Sequence, residues 1–210
     1  MLGPSSSHTA GAVRIGQIAR KLFEREPEKI VVQFYGSFAK TYRGHATDVA
    51  VVGGVLDMDV ADPLLPESLS LAAKLGIMVE LYAEEQVPEH PNTVRITLTH
   101  GSDTLDVTGI SIGGGAVQIT EYASFPIKLS GEQPTILILH QDSFGVIAQV
   151  TNCLEKEEIN IAHMEVSRLS KGDRALMLIE TDEMVPSSIL RRMAERKNII
   201  KVSMLDVHEI

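Results

Sequence analysis

The chain has 210 residues, of which 44% are hydrophobic, 22% charged and 4% aromatic, a composition typical of globular proteins. Its formal charge of −9 at pH 7 opposes binding to a phosphate backbone, and the sequence lacks the run of about 18 apolar residues that a membrane span needs. Neither nucleic acid nor a membrane is therefore an expected partner, and without a secretory signal pattern the expected location is the cytoplasm.

The first part of the chain predicts a mixed α/β domain. Apolar residues at three- and four-residue spacing predict a helix over residues 5–26, which Pro27 ends. The stretch Lys29–Phe38 is rich in Val, Ile, Phe and Tyr and predicts a strand, and glycines then loosen the chain before a helix from about Asp48 to Leu56. The later elements are a helix at 69–75 and strands at 77–82, 94–99, 105–112 and 116–122.

A linker is predicted at residues 129–134, because LSGEQP is polar and contains glycine and proline. It places one domain at residues 1–130 and a second at 134–207. The second domain follows the order strand, helix, strand, strand, helix, strand, with elements at 135–139, 146–156, 161–169, 174–181, 187–196 and 199–205. This is the ferredoxin-like plan, in which helices cover one face of a four-stranded antiparallel sheet. The predicted fold class is α+β.

Cys153 is the only cysteine, which excludes an internal disulfide. It cannot hold a metal–thiolate cluster by itself, because such clusters normally need three or four thiolates. Val146, Ile147, Val150 and Leu154 form a helical apolar stripe around it, which favours a small buried hydrophobic residue over a nucleophile. No metal site is predicted in this chain.

The motif GPSSSHTAG, at residues 3–11, places hydroxyls and an imidazole at the start of the first helix. Unpaired backbone amides and the helix dipole favour an anion there, such as a substrate carboxylate. Alternatively, one serine is only the helix N-cap and the others are solvated turn residues. The residues alone leave both interpretations open.

A second candidate motif is YGSFAKTYRGHATD, at residues 35–48. If its backbone is helical, Asp48 shares a face with His45 and would orient an imidazole that acts as a general base near neutral pH. The alternative, which the spacing alone favours, is a capping aspartate beside a surface histidine. The turn-rich contexts of His90 and His100 indicate structural or solvated histidines, and Gly113–Gly115 predicts a bulge or tight turn between strands.

Four motifs in this order, GPSSSHTAGAVRIG, FYGSFAKTYRGHATDVAVVGG, HPNT and VTGISIGGG, resemble iron–sulfur-dependent L-serine dehydratase beta subunits. The resemblance runs from Gly3 to Leu205. It implies a first domain like the allosteric substrate-binding domain of some phosphoglycerate dehydrogenases, followed by an ACT domain. In the family a short segment precedes the serine-rich motif, so this amino terminus is expected to start late.

The resemblance also implies the reaction and its partners. L-serine would be converted to pyruvate and ammonia with a 4Fe-4S cluster that a separate alpha subunit ligates. The implied substrate-binding residues are Ser5, Ser6, Ser7 and Thr9, and the implied acid–base or orienting residues are His8, His45 and Asp48. The residue that takes the α proton stays open. The rival interpretations are a free-standing amino-acid-sensing regulator without catalysis and a related hydro-lyase acting on another small hydroxy acid.

The stretch Leu137–Arg168 resembles the first half of an ACT domain. In serine-binding ACT domains of phosphoglycerate dehydrogenase, the matching positions hold an effector between two such domains; here they are His140, Asp142 and Asn160. Asp142 stands where that pattern has a neutral amide, and Phe144 where it has a proline. A dimerisation module without a ligand is the alternative. Self-association through the ACT sheets is expected in either case.

Overall fold

A computed structural model describes residues 6–206, which divide into two compact units. The first unit extends to Ser124 and the second begins at Gly131, while the strand Phe125–Leu129 has residues in both. Each unit buries an apolar core of its own. No helix within residues 6–206 is long and apolar enough to cross a membrane.

The first unit is a six-stranded sheet with helices. Within the described residues its helices are a π-helical turn (Ser6–Ala10), α1 (Gly11–Phe23), α2 (Gly36–Thr41), α3 (Thr47–Val55), a 3-10 turn (Leu65–Glu67) and α4 (Ser68–Lys74). Its strands are β1 (Lys29–Tyr35), β2 (Met78–Ala83), β3 (Asn92–His100), β4 (Asp103–Gly113), β5 (Ala116–Tyr122) and β6 (Phe125–Leu129). The sheet order is β2-β1-β3-β4-β5-β6, in which β1 and β2 are parallel and the pairs from β1/β3 to β4/β5 are antiparallel.

The helix predicted over residues 5–26 is present as the π-helical turn and α1, although residue 5 lies outside the described residues. α1 ends at Phe23, because Glu24 takes a left-handed φ of 64° and donates its N–H to the carbonyls of Arg20 and Lys21. Its apolar stripe packs against β3, β4 and β5.

β1 is shorter than the predicted strand. Ile30, Val32 and Phe34 are buried in the alternating pattern of a half-buried strand. The prediction that this strand continues to Phe38 is wrong, because Gly36 takes a positive φ of 57° and the chain then coils into α2. Glycine adopts this conformation without steric penalty. Ser37 therefore lies at the start of a helix rather than in a strand.

The second unit confirms the predicted ferredoxin-like order. Its elements are β7 (Thr135–Gln141), α5 (Val146–Glu155), β8 (Ile161–Arg168), β9 (Arg174–Thr181), α6 (Ser187–Ala194) and β10 (Ile199–Leu205). The sheet order is β10-β7-β9-β8 and every neighbouring pair is antiparallel. Apolar side chains of α5 and α6 pack on this sheet and form its core.

Candidate active site

The structure brings together two imidazoles from different motifs. His8 lies in the π-helical turn before α1, and His45 lies in the turn between α2 and α3. Their ring centroids are 4.9 Å apart and the ring planes are nearly perpendicular. The His8 ring also makes an edge contact with Phe38, at 5.3 Å between centroids, and its Nε2 lies 3.3 Å from Ser37 Oγ. His8, Ser37, Phe38 and His45 form what we term the histidine cluster.

The electrostatics of this cluster favour a neutral His8. Burial lowers the pKa of the His8 imidazole from its ordinary value, and the charge of nearby His45 lowers that pKa further. The His45 residue is exposed, and its backbone N–H donates to the Thr41 carbonyl at 2.9 Å. The arrangement thus offers a half-buried imidazole that can accept a proton at neutral pH, next to an imidazole in contact with solvent.

The predicted pairing of Asp48 with His45 is not formed. Ala46, between them, takes a left-handed φ of 57°, so α3 begins at Thr47 and the two residues do not share a helical face. The Asp48 carboxylate accepts the N–H of Val49 at 2.9 Å. Within residues 6–206, no hydrogen bond joins Asp48 to His45. The carboxylate belongs to the first turn of α3, where it is favourable to the helix dipole.

The serine-rich motif is described only in part. Ser5 lies outside the described residues, and so do the side chains of Ser6 and Ser7, whose backbone opens the π-helical turn. Thr9 is largely buried, with 9% of the residue exposed. Their predicted role in binding the substrate stays a prediction.

The turn His90–Thr93, which is the HPNT motif, holds the backbone of the histidine cluster in place. Its Pro91 carbonyl accepts the N–H of Ser37 at 2.7 Å. The turn is internally bonded, because the His90 ring accepts the Asn92 N–H at 3.2 Å and the His90 carbonyl accepts the Thr93 hydroxyl at 2.6 Å. The interpretation of His90 as structural agrees with these bonds. Ser37 and Phe38 are the members of the site that the motifs did not predict, although both lie within the motif at residues 35–48.

A cavity of 370 Å³ lies elsewhere in the first unit, next to Tyr35 and Arg95. Neither His8 nor His45 lines it. Its Arg95 guanidinium is already paired, at 3.4 Å from Asp106 and 3.8 Å from a glutamate of β5. Burial, together with nearby acidic groups, raises the pKa of the Tyr35 hydroxyl, which keeps it protonated. The cavity borders the HPNT turn through His90 and Thr93, but its lining includes no member of the histidine cluster.

Comparison with known proteins identifies the family. The family described as "Serine dehydratase beta chain" matches residues 1–74, and the ACT domain family matches residues 134–198. A Bacillus subtilis protein named "Probable L-serine dehydratase, beta chain" is 52% identical over 203 residues, which cover 97% of this chain and 92% of that protein. The chain belongs to the L-serine dehydratase beta-chain family. The "L-serine dehydratase, beta chain" of Peptoniphilus asaccharolyticus is 33% identical over 90% of this beta chain and 86% of its own length.

A second group of relatives matches this beta chain over part of their length. The D-3-phosphoglycerate dehydrogenase of Bacillus subtilis is 26% identical over 93% of the beta chain but only 37% of that enzyme. In contrast, the two dehydratase beta chains match over most of both chains. The interpretation as a dehydratase beta chain is therefore confirmed, and the rival interpretation as a free-standing regulator is not supported.

The residues of this beta chain do not fit a cluster of their own. Cys153, the chain's only cysteine, is 2% exposed and packs in the core of the second unit. Within residues 6–206, no group of three or more His, Cys, Asp or Glu side chains is placed to hold a metal ion. One buried thiol cannot form the thiolate cage of an iron–sulfur cluster.

Two of the predicted effector residues of the beta chain lie at one end of the ACT sheet. His140 is 2% exposed; its Nδ1 lies 2.9 Å from the Gln141 carbonyl, while its Nε2 has no hydrogen-bond partner within the described residues. Asp142 accepts the Gly172 N–H at 2.9 Å and an Arg168 N–H at 3.1 Å. These partners, the amide first, lower the pKa of the Asp142 carboxyl, so it is ionised at neutral pH.

Asn160 lies at the other end. β7 and β8 both pair antiparallel with β9, so they run in the same direction, and Asn160 precedes β8 whereas Asp142 follows β7. The register sets Ile161 near the Thr135 end of β7, about 17 Å along the strands from His140. One small amino acid cannot contact both ends of the sheet within a single ACT domain.

Proposed function

We propose that this chain is the substrate-handling subunit of an L-serine dehydratase, which forms pyruvate and ammonia from L-serine together with a separate alpha subunit. The observation that carries the proposal is the histidine cluster, in which His8 is held beside His45 at the serine-rich start of a helix. A sensor domain alone would need no such second polar site.

The reaction requires removal of a weakly acidic proton from the serine α carbon and departure of the β hydroxyl. His8, neutral at neutral pH, is the proposed acceptor of the α proton. A positive charge on His45 favours that neutral form and would also attract the substrate carboxylate. The backbone amides at the start of the helix favour the same carboxylate. The histidine cluster therefore orients serine with its α carbon towards His8.

The 4Fe-4S cluster is proposed to belong to the alpha subunit. Cys153 is buried and alone, so this chain has no thiolate cage to offer. Lewis-acid assistance to the departing hydroxyl would come from the partner subunit. This division makes the complete active site a shared one between two polypeptides. The cytoplasmic location of the complex stays a prediction.

Anaerobic reconstitution tests the proposal. Purified chain, a cysteine-rich alpha subunit with its cluster loaded, and the mixture are each supplied with L-serine, and pyruvate is measured. We expect turnover only in the mixture, because the proton acceptor and the cluster are on different chains. Pyruvate formation by this chain alone at the rate of the mixture would contradict the division. Inactivity with several sound, cluster-loaded alpha subunits would contradict the assignment as a dehydratase subunit.

We further propose that two copies of the ACT domain complete one amino-acid effector site. β8 is an edge strand, and its residues are largely exposed or half-buried. Antiparallel pairing of two β8 strands across a two-fold axis would bring Asn160 of one copy to the Arg168 end of the other, where Asp142 is bonded. Such a pair places all the predicted effector residues around one site, which one copy cannot do.

Mixing of variants tests this shared site. Asp142→Ala and Asn160→Ala homodimers are each expected to bind L-serine at least about tenfold more weakly by calorimetry, because each loses a polar partner of the ligand. After the two variants exchange subunits, a mixed dimer has one site with both substitutions and one intact site. About a quarter of the wild-type number of sites should then bind with wild-type affinity.

The outcomes separate the alternatives. If the variants exchange subunits and no site binds L-serine with wild-type affinity, the effector site is not shared between copies. Wild-type chain that dimerises but binds no L-serine would favour an ACT domain that serves only in dimerisation.

A further inference from the structure

Ser37 is held from both sides by backbone contacts. Its N–H donates to the Pro91 carbonyl at 2.7 Å, and its own carbonyl accepts the Thr41 hydroxyl at 2.8 Å. Gly36, with its positive φ, allows the chain to turn from β1 directly into α2. A side chain at Gly36 would also approach the Pro91 carbonyl oxygen to 2.6 Å, closer than real contacts allow. The position of Ser37 is thus fixed by the β1 end and by the HPNT turn.

The side chain of Ser37 contacts His8 rather than its own helix. α2 begins at Gly36, with Tyr35 at the N-cap position and no side-chain cap, and Ser37 is its second residue. Ser37 Oγ lies 3.3 Å from His8 Nε2. The next residue, Phe38, lies fully buried against the same imidazole. Two consecutive residues of α2 therefore limit how the His8 ring can rotate.

We propose that Ser37 is a positioning residue for His8: the Ser37 hydroxyl, by its hydrogen bond with Nε2, restrains the orientation of the imidazole and favours one of its tautomers. The HPNT turn acts on the same ring through Ser37, because its Pro91 carbonyl holds the Ser37 backbone. The inference rests on the proposed role of His8, but it concerns a contact that can be measured without turnover.

Spectroscopy of the full chain tests the contact itself. Nitrogen-15 shifts of the His8 ring report which nitrogen carries the proton, and wild-type chain is expected to show one dominant tautomer. Ser37→Ala removes the hydroxyl and should yield a mixture of tautomers, whereas Ser37→Thr keeps a hydroxyl at the same position and should preserve the wild-type shifts. Thr104→Ala, which removes an exposed hydroxyl of β4, is the control and should change nothing at His8.

Kinetics of the reconstituted complex test the consequence. Ser37→Ala should lower kcat about tenfold with KM within about twofold, because the base is present but less often in the productive orientation. The acid limb of kcat/KM should also move, since the Ser37 hydroxyl is a hydrogen-bond partner of the imidazole and its loss changes the relative stability of the two protonation states. Ser37→Thr should recover most of kcat.

Two different results would contradict the positioning role of Ser37 and the catalytic role of His8. Unchanged ring shifts, kcat and pH profile in Ser37→Ala, in a complex that His8→Gln inactivates, would overturn the positioning role and leave the function intact. A Ser37→Ala chain with altered ring shifts, in a complex that tolerates His8→Gln, would instead overturn the function of His8 while the contact stands.

Discussion

The His8→Gln substitution should lower kcat of the reconstituted dehydratase by about 10²–10⁴-fold, the usual contribution of a positioned general base. Glutamine retains similar size and polarity but cannot accept the α proton. His8 is held in place by contacts with Ser37, Phe38 and His45, and a base from solution would lack this fixed position. The measurement is pyruvate formation at saturating L-serine, with subunit assembly followed by size-exclusion chromatography.

His100→Gln is the matched control. His100 ends β3 at the surface, where its Nδ1 lies 2.9 Å from the Glu26 carbonyl, and it makes no contact with the histidine cluster. Its substitution should leave kcat within about twofold. A His8→Gln complex that assembles and retains more than a third of wild-type turnover would remove His8 from the mechanism.

The pH profile of the wild-type complex offers a second test of the same assignment. Burial and the charge of His45 lower the pKa of His8, so its neutral form persists to lower pH than that of an ordinary histidine. A base acts when neutral. Activity should therefore fall only as the pH drops below the ordinary histidine range, and a fall that begins above that range would contradict this environment for His8.

The second unit was the more predictable part of the fold. Its elements are local patterns separated by turns, and one face of α5 carries Val146, Val150 and Cys153, all buried as the 3.6-residue period requires. Ile147, predicted in the same apolar stripe, is instead 46% exposed, because it lies about 100° around the helix from Val146. β6 was not predictable in the same way. It is five residues long and contains Pro126, which argues against a strand in a sheet interior. Pro126, which has no backbone N–H to donate, is tolerated because β6 lies at the edge of the first sheet.

The candidate site was predictable by residue but not by arrangement. The motifs pointed to His8 and His45, yet nothing in their spacing indicates that rings 37 positions apart along the chain meet at 4.9 Å. That contact depends on how α1 packs on α3, since His8 lies in the turn before α1 and His45 in the turn before α3. The pairing of Asp48 with His45 failed for a local reason, the left-handed conformation of Ala46, which spacing does not reveal.

α1 and α3 pack so closely that Gly54→Ala should lower the free energy of unfolding of the first unit by about 3 kcal/mol, the upper end of the usual cost of overpacking. Helix propensity alone predicts the opposite sign, because alanine is better than glycine in a helix by about 1 kcal/mol. The close approach decides the outcome. A Cβ at Gly54 would collide with the Val13 carbonyl oxygen and lie 3.0 Å from the Gln17 nitrogen, and backbone atoms cannot move aside cheaply. Urea unfolding monitored by circular dichroism measures the change.

Gly53→Ala is the matched control, with the same helix and the same propensity gain. Its new methyl would meet the flexible end of the Leu65 side chain, so its destabilisation should be clearly smaller than that of Gly54→Ala. Equal or greater stability of Gly54→Ala relative to wild type would show that the helices do not approach this closely. Because α1 follows His8 and α3 follows His45, forcing the helices apart should also separate the two imidazoles. The same substitution is therefore expected to reduce turnover even under conditions where the chain remains folded.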